Sequence, residues 1–131
     1  MTTEWIPTIT NRNINDVENA KYDPENNPKG VYNYTDLNRV ENDTLYCLEY
    51  MQEQELITDP ISMRIKTDWA ENDIVYYDEM KRIIDNIQTL GEYVNPTLKA
   101  ILPVLYPTSQ MNYILANKIE EYLDILHTQS P

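Results

Sequence analysis

One cysteine, one histidine and 22 carboxylates are nearly all that this 131-residue chain offers for nucleophilic, acid–base or metal chemistry. A cysteine nucleophile needs an imidazole within hydrogen-bond reach and a third group to orient that base. Cys47 lies on the apolar stripe of a helical pattern, which predicts an inert core thiol. Being single, it excludes an intramolecular disulfide and a paired-thiol zinc site. His127 lies close to the C-terminus and reads as a helix-end residue, not a catalyst. Glycoside hydrolysis would need two carboxylates in a cleft, one kept protonated by burial. No acid is embedded in an apolar run that would do this, and with so many acids, pairs at helical spacing arise by chance. Calcium is suggested by the oxygens of Asp23, Glu25 and Asn27 in a loop. An EF-hand needs Gly at its sixth place and Glu at its twelfth, and those places hold Pro28 and Tyr34. There is no phosphate-binding loop and no dinucleotide fingerprint. The expectation is a protein that is not an enzyme, with no catalytic residue, metal ligand or cofactor.

The elements that would position these residues read as helices. Asn13 with Asp16 forms an N-cap signal for a short helix ending before Pro24, with Ile14 and Val17 as its apolar edge. Residues 23–30 carry every turn signal. Thr35 is the expected N-cap of a long helix over 36–55. Its core stripe is Leu37, Val40, Thr44, Cys47 or Leu48, and Met51. Asp36, Glu41, Asp43, Glu49, Glu53 and Glu55 fall off that stripe and are expected to form an acidic surface. Residues 61–66 alternate apolar and polar, which fits either a short strand or an extended segment packed on helices. A further helix is expected over 77–93, with Met80, Ile83, Ile84, Ile87 and Leu90 inward. Asn95-Pro96 starts a short one running through Leu102. The last spans 113–127 behind Asn112, with Ile119, Leu123 and Leu126 inward and Tyr113, Ile114, Ala116 and Ile125 widening the face. The fold class is therefore all-α: one domain, a small bundle of about four helices, and at most one short isolated strand or hairpin. Leu48, Ile84, Ile87 and Leu123 are expected in its core.

A repeat gives this architecture an internal division. Residues 33–41 and 112–120 share the pattern Asn-Tyr-x-x-apolar-Asn-cation-β-branched-Glu. A tryptophan precedes each copy, Trp5 the first and Trp69 the second, which suggests two units, 1–58 and 66–131. Asn is a poor mid-helix residue because its amide competes with the backbone. Its recurrence at Asn38 and Asn117 predicts a shared task, a semi-buried amide bonding loop backbone. Tyr34 and Tyr113 are placed to staple the incoming chain onto each helix. The candidate structural or interaction residues are thus Trp5, Tyr34, Asn38, Arg39, Trp69, Tyr113 and Asn117.

The formal charge of −12 disfavours a grip on nucleic-acid phosphates or an anionic membrane. The start Met-Thr-Thr-Glu-Trp has neither a basic flank nor an apolar run, and no stretch approaches bilayer length. Synthesis in the cytoplasm without membrane insertion is expected.

Lys29-Gly-Val-Tyr-Asn-Tyr-Thr-Asp-Leu-Asn-Arg-Val-Glu41 resembles a segment of small tail-associated proteins of Firmicutes bacteriophages and prophages. Asn11-Arg12 behind an N-terminal Trp, Lys-Thr-Asp-Trp at 66–69, and Tyr-x-x-Ala-Asn-x-Ile-Glu at 113–120 follow the same order. Ile114 stands where that family usually has Thr, and the chain stops at Pro131 where many relatives continue into a fibre-like extension. The resemblance implies a non-enzymatic structural or adaptor component of a tail, baseplate or phage-tail-like particle. Its partners would be other tail proteins and further copies of itself, and its location the particle. An acidic inhibitor or DNA mimic and a glycan-binding module are the alternatives.

Overall fold

Five helices form in the computed structural model, which describes residues 3–108 and 111–129: α1 (Ile14–Tyr22), α2 (Tyr34–Glu53), α3 (Tyr77–Gly91), α4 (Pro96–Lys99) and α5 (Tyr113–Gln129). No strand occurs among the described residues. The all-helical fold class holds.

The core is the meeting of α2, α3 and α5, each of which touches the other two. The expected stripe of α2 is buried from Leu37 to Met51, as is that of α3 from Met80 to Leu90. Leu48, Ile84, Ile87 and Leu123 all lie in this one cluster. On α5 the inward face holds Leu115 and Tyr122 as well as Ile119, Leu123 and Leu126, whereas Ile114 points to solvent.

Local chemistry sets the helix ends. Asn13 caps α1 in a reciprocal box with Asp16. Asn33, not Thr35, caps α2: its side chain accepts from the Thr35 N–H, and the Asp36 carboxylate accepts from the Asn33 N–H. The helix therefore starts two residues earlier than expected. It also stops two residues earlier, because Glu55 adopts a left-handed conformation (φ 59°) and the Leu56 N–H donates back to the Met51 carbonyl. The helix at 77 closes at Gly91 and the one at 96 after a single turn at Lys99, while Asn112 caps α5 through the Leu115 N–H.

Residues 61–66 are extended without a partner strand. Ile61, Met63 and Ile65 pack on the core while Ser62 and Arg64 face out, as alternation requires. The backbone bonds that a neighbouring strand would make come from side chains instead. Arg82 and Asn86 of α3 donate to the Arg64 carbonyl, and the Lys66 N–H donates to Glu41.

Helix α1 stands apart from the three-helix core. It leans on a single 3-10 turn (Pro28–Gly30), where a side chain at Gly30 would run into the Asp16 carbonyl at 2.0 Å. Ile14 is exposed and Ala20 is the buried residue of this helix, so its apolar edge is displaced from the one expected.

Candidate functional site

Asn38 and Asn117 do the same thing in two places. The Trp69 N–H donates to Asn38 Oδ1 (2.7 Å), and Asn38 Nδ2 donates to the Trp69 carbonyl (3.0 Å). The Arg12 N–H donates to Asn117 Oδ1 (3.1 Å), and Asn117 Nδ2 donates to the Arg12 carbonyl (2.8 Å). Each amide thus saturates one residue of an extended segment, and both asparagines are half-buried. One turn further along each helix a glutamate takes the backbone N–H three residues earlier in that segment. Glu41 accepts from Lys66 (3.0 Å), and Glu120 accepts from Ile9 (3.2 Å). The residue opposite the asparagine then sends its side chain to the same glutamate, from Trp69 Nε1 to Glu41 and from Arg12 to Glu120.

Ile9-Thr-Asn-Arg12 and Lys66-Thr-Asp-Trp69 are therefore equivalent leads. The correspondence continues, since the Asn13 N–H donates to Asp16 and the Ala70 N–H to Asp73. It ends where chemistry does: Asn13 has a side chain that caps a helix and Ala70 has none, so α1 forms after the first lead and only a turn after the second. Two corrections follow. Trp69 matches Arg12, not Trp5. And the leads are crossed, because the one before α2 docks on α5 and the one before α3 docks on α2.

The two glutamates are the buried charges of the fold. Glu120 is wholly buried and holds both Arg12 (2.6 Å) and Arg39 (2.8 Å), while Asp36 accepts from the same two guanidiniums at 3.3 and 2.6 Å. Burial pulls the Arg39 pKa down, but the hydrogen bonds it donates to Glu120 and Asp36 outweigh this and hold it above its ordinary value. Glu41 accepts a fork from Arg82 at 2.6 and 3.0 Å. Asp36, Glu41 and Asp43 are thus buried, against the expectation of an acidic outer face. A buried carboxylate is tolerable only when its lone pairs are filled by such donors. The cation of the repeat departs from symmetry: Arg39 reaches Glu120, Lys118 is exposed, and Arg82 serves Glu41 in its place.

Trp5 stacks on His127 with ring centroids 3.8 Å apart and meets Tyr46 edge-on at 5.5 Å. Both tryptophans are thus engaged within the chain, Trp69 almost completely buried and Trp5 partly. Tyr34 and Tyr113 are the first residues of their helices and are half-buried. The Asp23–Asn27 loop satisfies itself, with the Asn26 amide donating to the Asp23 side chain and the Asn27 amide to its carbonyl. Among the described residues no three His, Cys, Asp or Glu are grouped to hold a metal, and burial keeps the Cys47 thiol pKa well above its usual range.

Outward-facing apolar groups gather elsewhere. Val104, Tyr106 and Ile114 are more than half exposed and line one hollow of about 150 Å³ with Leu115 and Lys118. A larger groove of about 470 Å³ has Leu37, Val75, Met80 and Met111 in its walls and Glu71 and Asp73 at its rim. No sequence signal pointed to either, because neither Pro103-to-Pro107 nor the turn at Glu71 has a readable period. No helix among the described residues is long and apolar enough to cross a membrane. No known protein family, characterised protein or solved structure matches the chain.

Proposed function

We propose that this protein is a non-enzymatic structural or adaptor component of a phage tail, baseplate or phage-tail-like particle, acting through protein–protein contacts. The observation that carries the interaction half of this reading is the Val104–Tyr106–Ile114 hollow. Three large apolar side chains converge on one exposed depression, and such patches mark contact surfaces on otherwise polar proteins. The particle half rests on the Lys29–Glu41 segment and its ordered companions. The DNA-mimic alternative is weakened by the fate of the acids, since Asp36, Glu41 and Glu120 are paired with arginines inside the fold and do not face a basic partner.

Mass spectrometry of purified particles tests the proposal. The protein should co-purify at a stoichiometric level, and Tyr106→Glu with Ile114→Glu should deplete it from particles while its circular dichroism stays helical. Particles that lack the wild-type chain would overturn the reading.

A further inference from the structure

We propose that the groove between the start of α2 and residues 71–80 docks a basic segment of a partner protein, with an apolar side chain in the floor and a Lys or Arg beside it at the rim. Leu37 of α2 and Met80 of α3, both buried, make the floor, and half-buried Val75 and Met111 make the walls. The space of about 470 Å³ takes a large aliphatic or aromatic side chain with its neighbours. Two of these four groups are methionines, whose unbranched, polarisable side chains adjust to what they cover. The segment that supplies Val75 also exposes Ile74, Tyr76 and Tyr77. Large apolar side chains in one exposed run mark a contact surface on a polar protein.

Charge selects the occupant. Glu71 and Asp73 stand exposed at the rim. Among the described residues Glu71 has no hydrogen-bond or ion-pair partner, and Asp73 takes only the Ala70 N–H, on Oδ2 (2.8 Å). Asp36, Glu41 and Glu120, by contrast, are answered by arginines of this chain. Lys66 lies within the field of Asp73, but it bonds Asp68 (2.9 Å) and sits over the Trp69 ring. The rim therefore has carboxylates without a cation. Tyr32 and Tyr34 add aromatic surface beside them, and Tyr32 already carries one cation, the Arg12 guanidinium 5.6 Å from its ring centre. A partner Lys or Arg can lay its aliphatic stem along the apolar wall and bring its head to Glu71 and Asp73. The net charge of −12 draws a basic partner in and holds acidic ones away.

This surface is separate from the Val104–Tyr106–Ile114 hollow, and the proposal does not depend on membership in a tail particle. Its test is an NMR titration of the full chain, isotope-labelled at the methionine methyls, with two pools of capped hexapeptides. Both pools carry Leu, Met, Phe or Trp at the fourth place. One has Lys or Arg at the third and fifth places, the other Asp or Glu. The basic pool should shift the Met80 and Met111 methyl signals and bind at least about tenfold more tightly than the acidic pool. Glu71→Lys should weaken basic-pool binding at least about fivefold. Glu121→Lys makes the same charge change at an exposed site outside the groove, and screening should hold its effect to less than about twofold. Glu71→Gln, which removes the charge at constant shape, covers the case in which Lys disturbs the turn, and it too should weaken binding more than Glu121→Lys does. Methyl signals that stay still, equal binding of the two pools, or losses at Glu71 no larger than at Glu121 would overturn the proposal.

Discussion

A side-chain amide that both gives and takes a hydrogen bond with one residue acts as a short piece of β-ladder. Asn38 and Asn117 do this for Trp69 and Arg12. Replacing either by Ala leaves a part-buried N–H and C=O without partners, and each change is expected to cost about 1–3 kcal/mol in urea unfolding. Matched losses at the two sites would show that the two stations are energetically equivalent; a loss at one alone would show that they are not. Asp43 predicts a pH effect. Burial pushes its carboxyl from 3.8 up to about 7, against the Ile6 N–H and the Asn42 amide that favour the charged form; nearby Glu120 raises it further and Arg39 lowers it. The folded state therefore binds a proton that the unfolded chain has released. The stability from this group is complete below pH 3.8 and is lost as pH rises through about 7. Wild-type protein should lose stability relative to Asp43→Asn between about pH 4 and about pH 8. A constant difference across that range, followed by denaturant midpoint, would contradict this.

The helices were readable where burial follows a local period and opaque where it depends on distant charge. The Leu37-to-Met51 and Met80-to-Leu90 stripes fall at steps of three and four, and both are buried as that spacing demands. Asn13 was recognisable as a cap because Asp16 completes its box. Asn33 was masked by Thr35, an equally good cap former two residues on. The buried acids of α2 were misplaced for a different reason. Glu41 draws on Arg82, on α3 41 residues beyond it, and Asp36 on Arg12 outside the helix as well as on Arg39 within it, so a helical projection leaves most of this charge unpaired. Likewise the repeated asparagines announced a shared task, but the backbone they serve lies 31 and 105 residues away. The end of α2 offers its own prediction. Glu55 holds a left-handed conformation that glycine adopts without a Cβ penalty. Glu55→Gly is expected to raise stability by about 0.5–1 kcal/mol, read from thermal or urea midpoints. A loss of similar size would mean that the Glu55 side chain contributes more than its backbone strain removes.

At the scale of the whole molecule, residues 9–12 dock on α5 and residues 66–69 on α2, around one core. Its internal ion pairs are almost dry, with Glu120 and Glu41 side chains 0% and 2% exposed, so added salt screens them little. The surface instead bears the excess that makes the net charge −12, and repulsion among those acids destabilises the compact form. Raising ionic strength should therefore increase the melting temperature; a decrease would show that exposed pairs such as Lys81–Asp85 dominate the balance. The stack of Trp5 on His127 makes the molecule its own optical gauge. An imidazole stacked on an indole, above all when protonated, quenches it by accepting an electron from the excited ring, whereas Trp69, buried against Glu41, has no such neighbour in contact and gives a steady background. Emission should brighten when residues 3–12 lift from α2 and α5, even while the helices stay intact. Fluorescence and circular dichroism recorded on one sample would then separate the release of this N-terminal segment from the melting of the bundle.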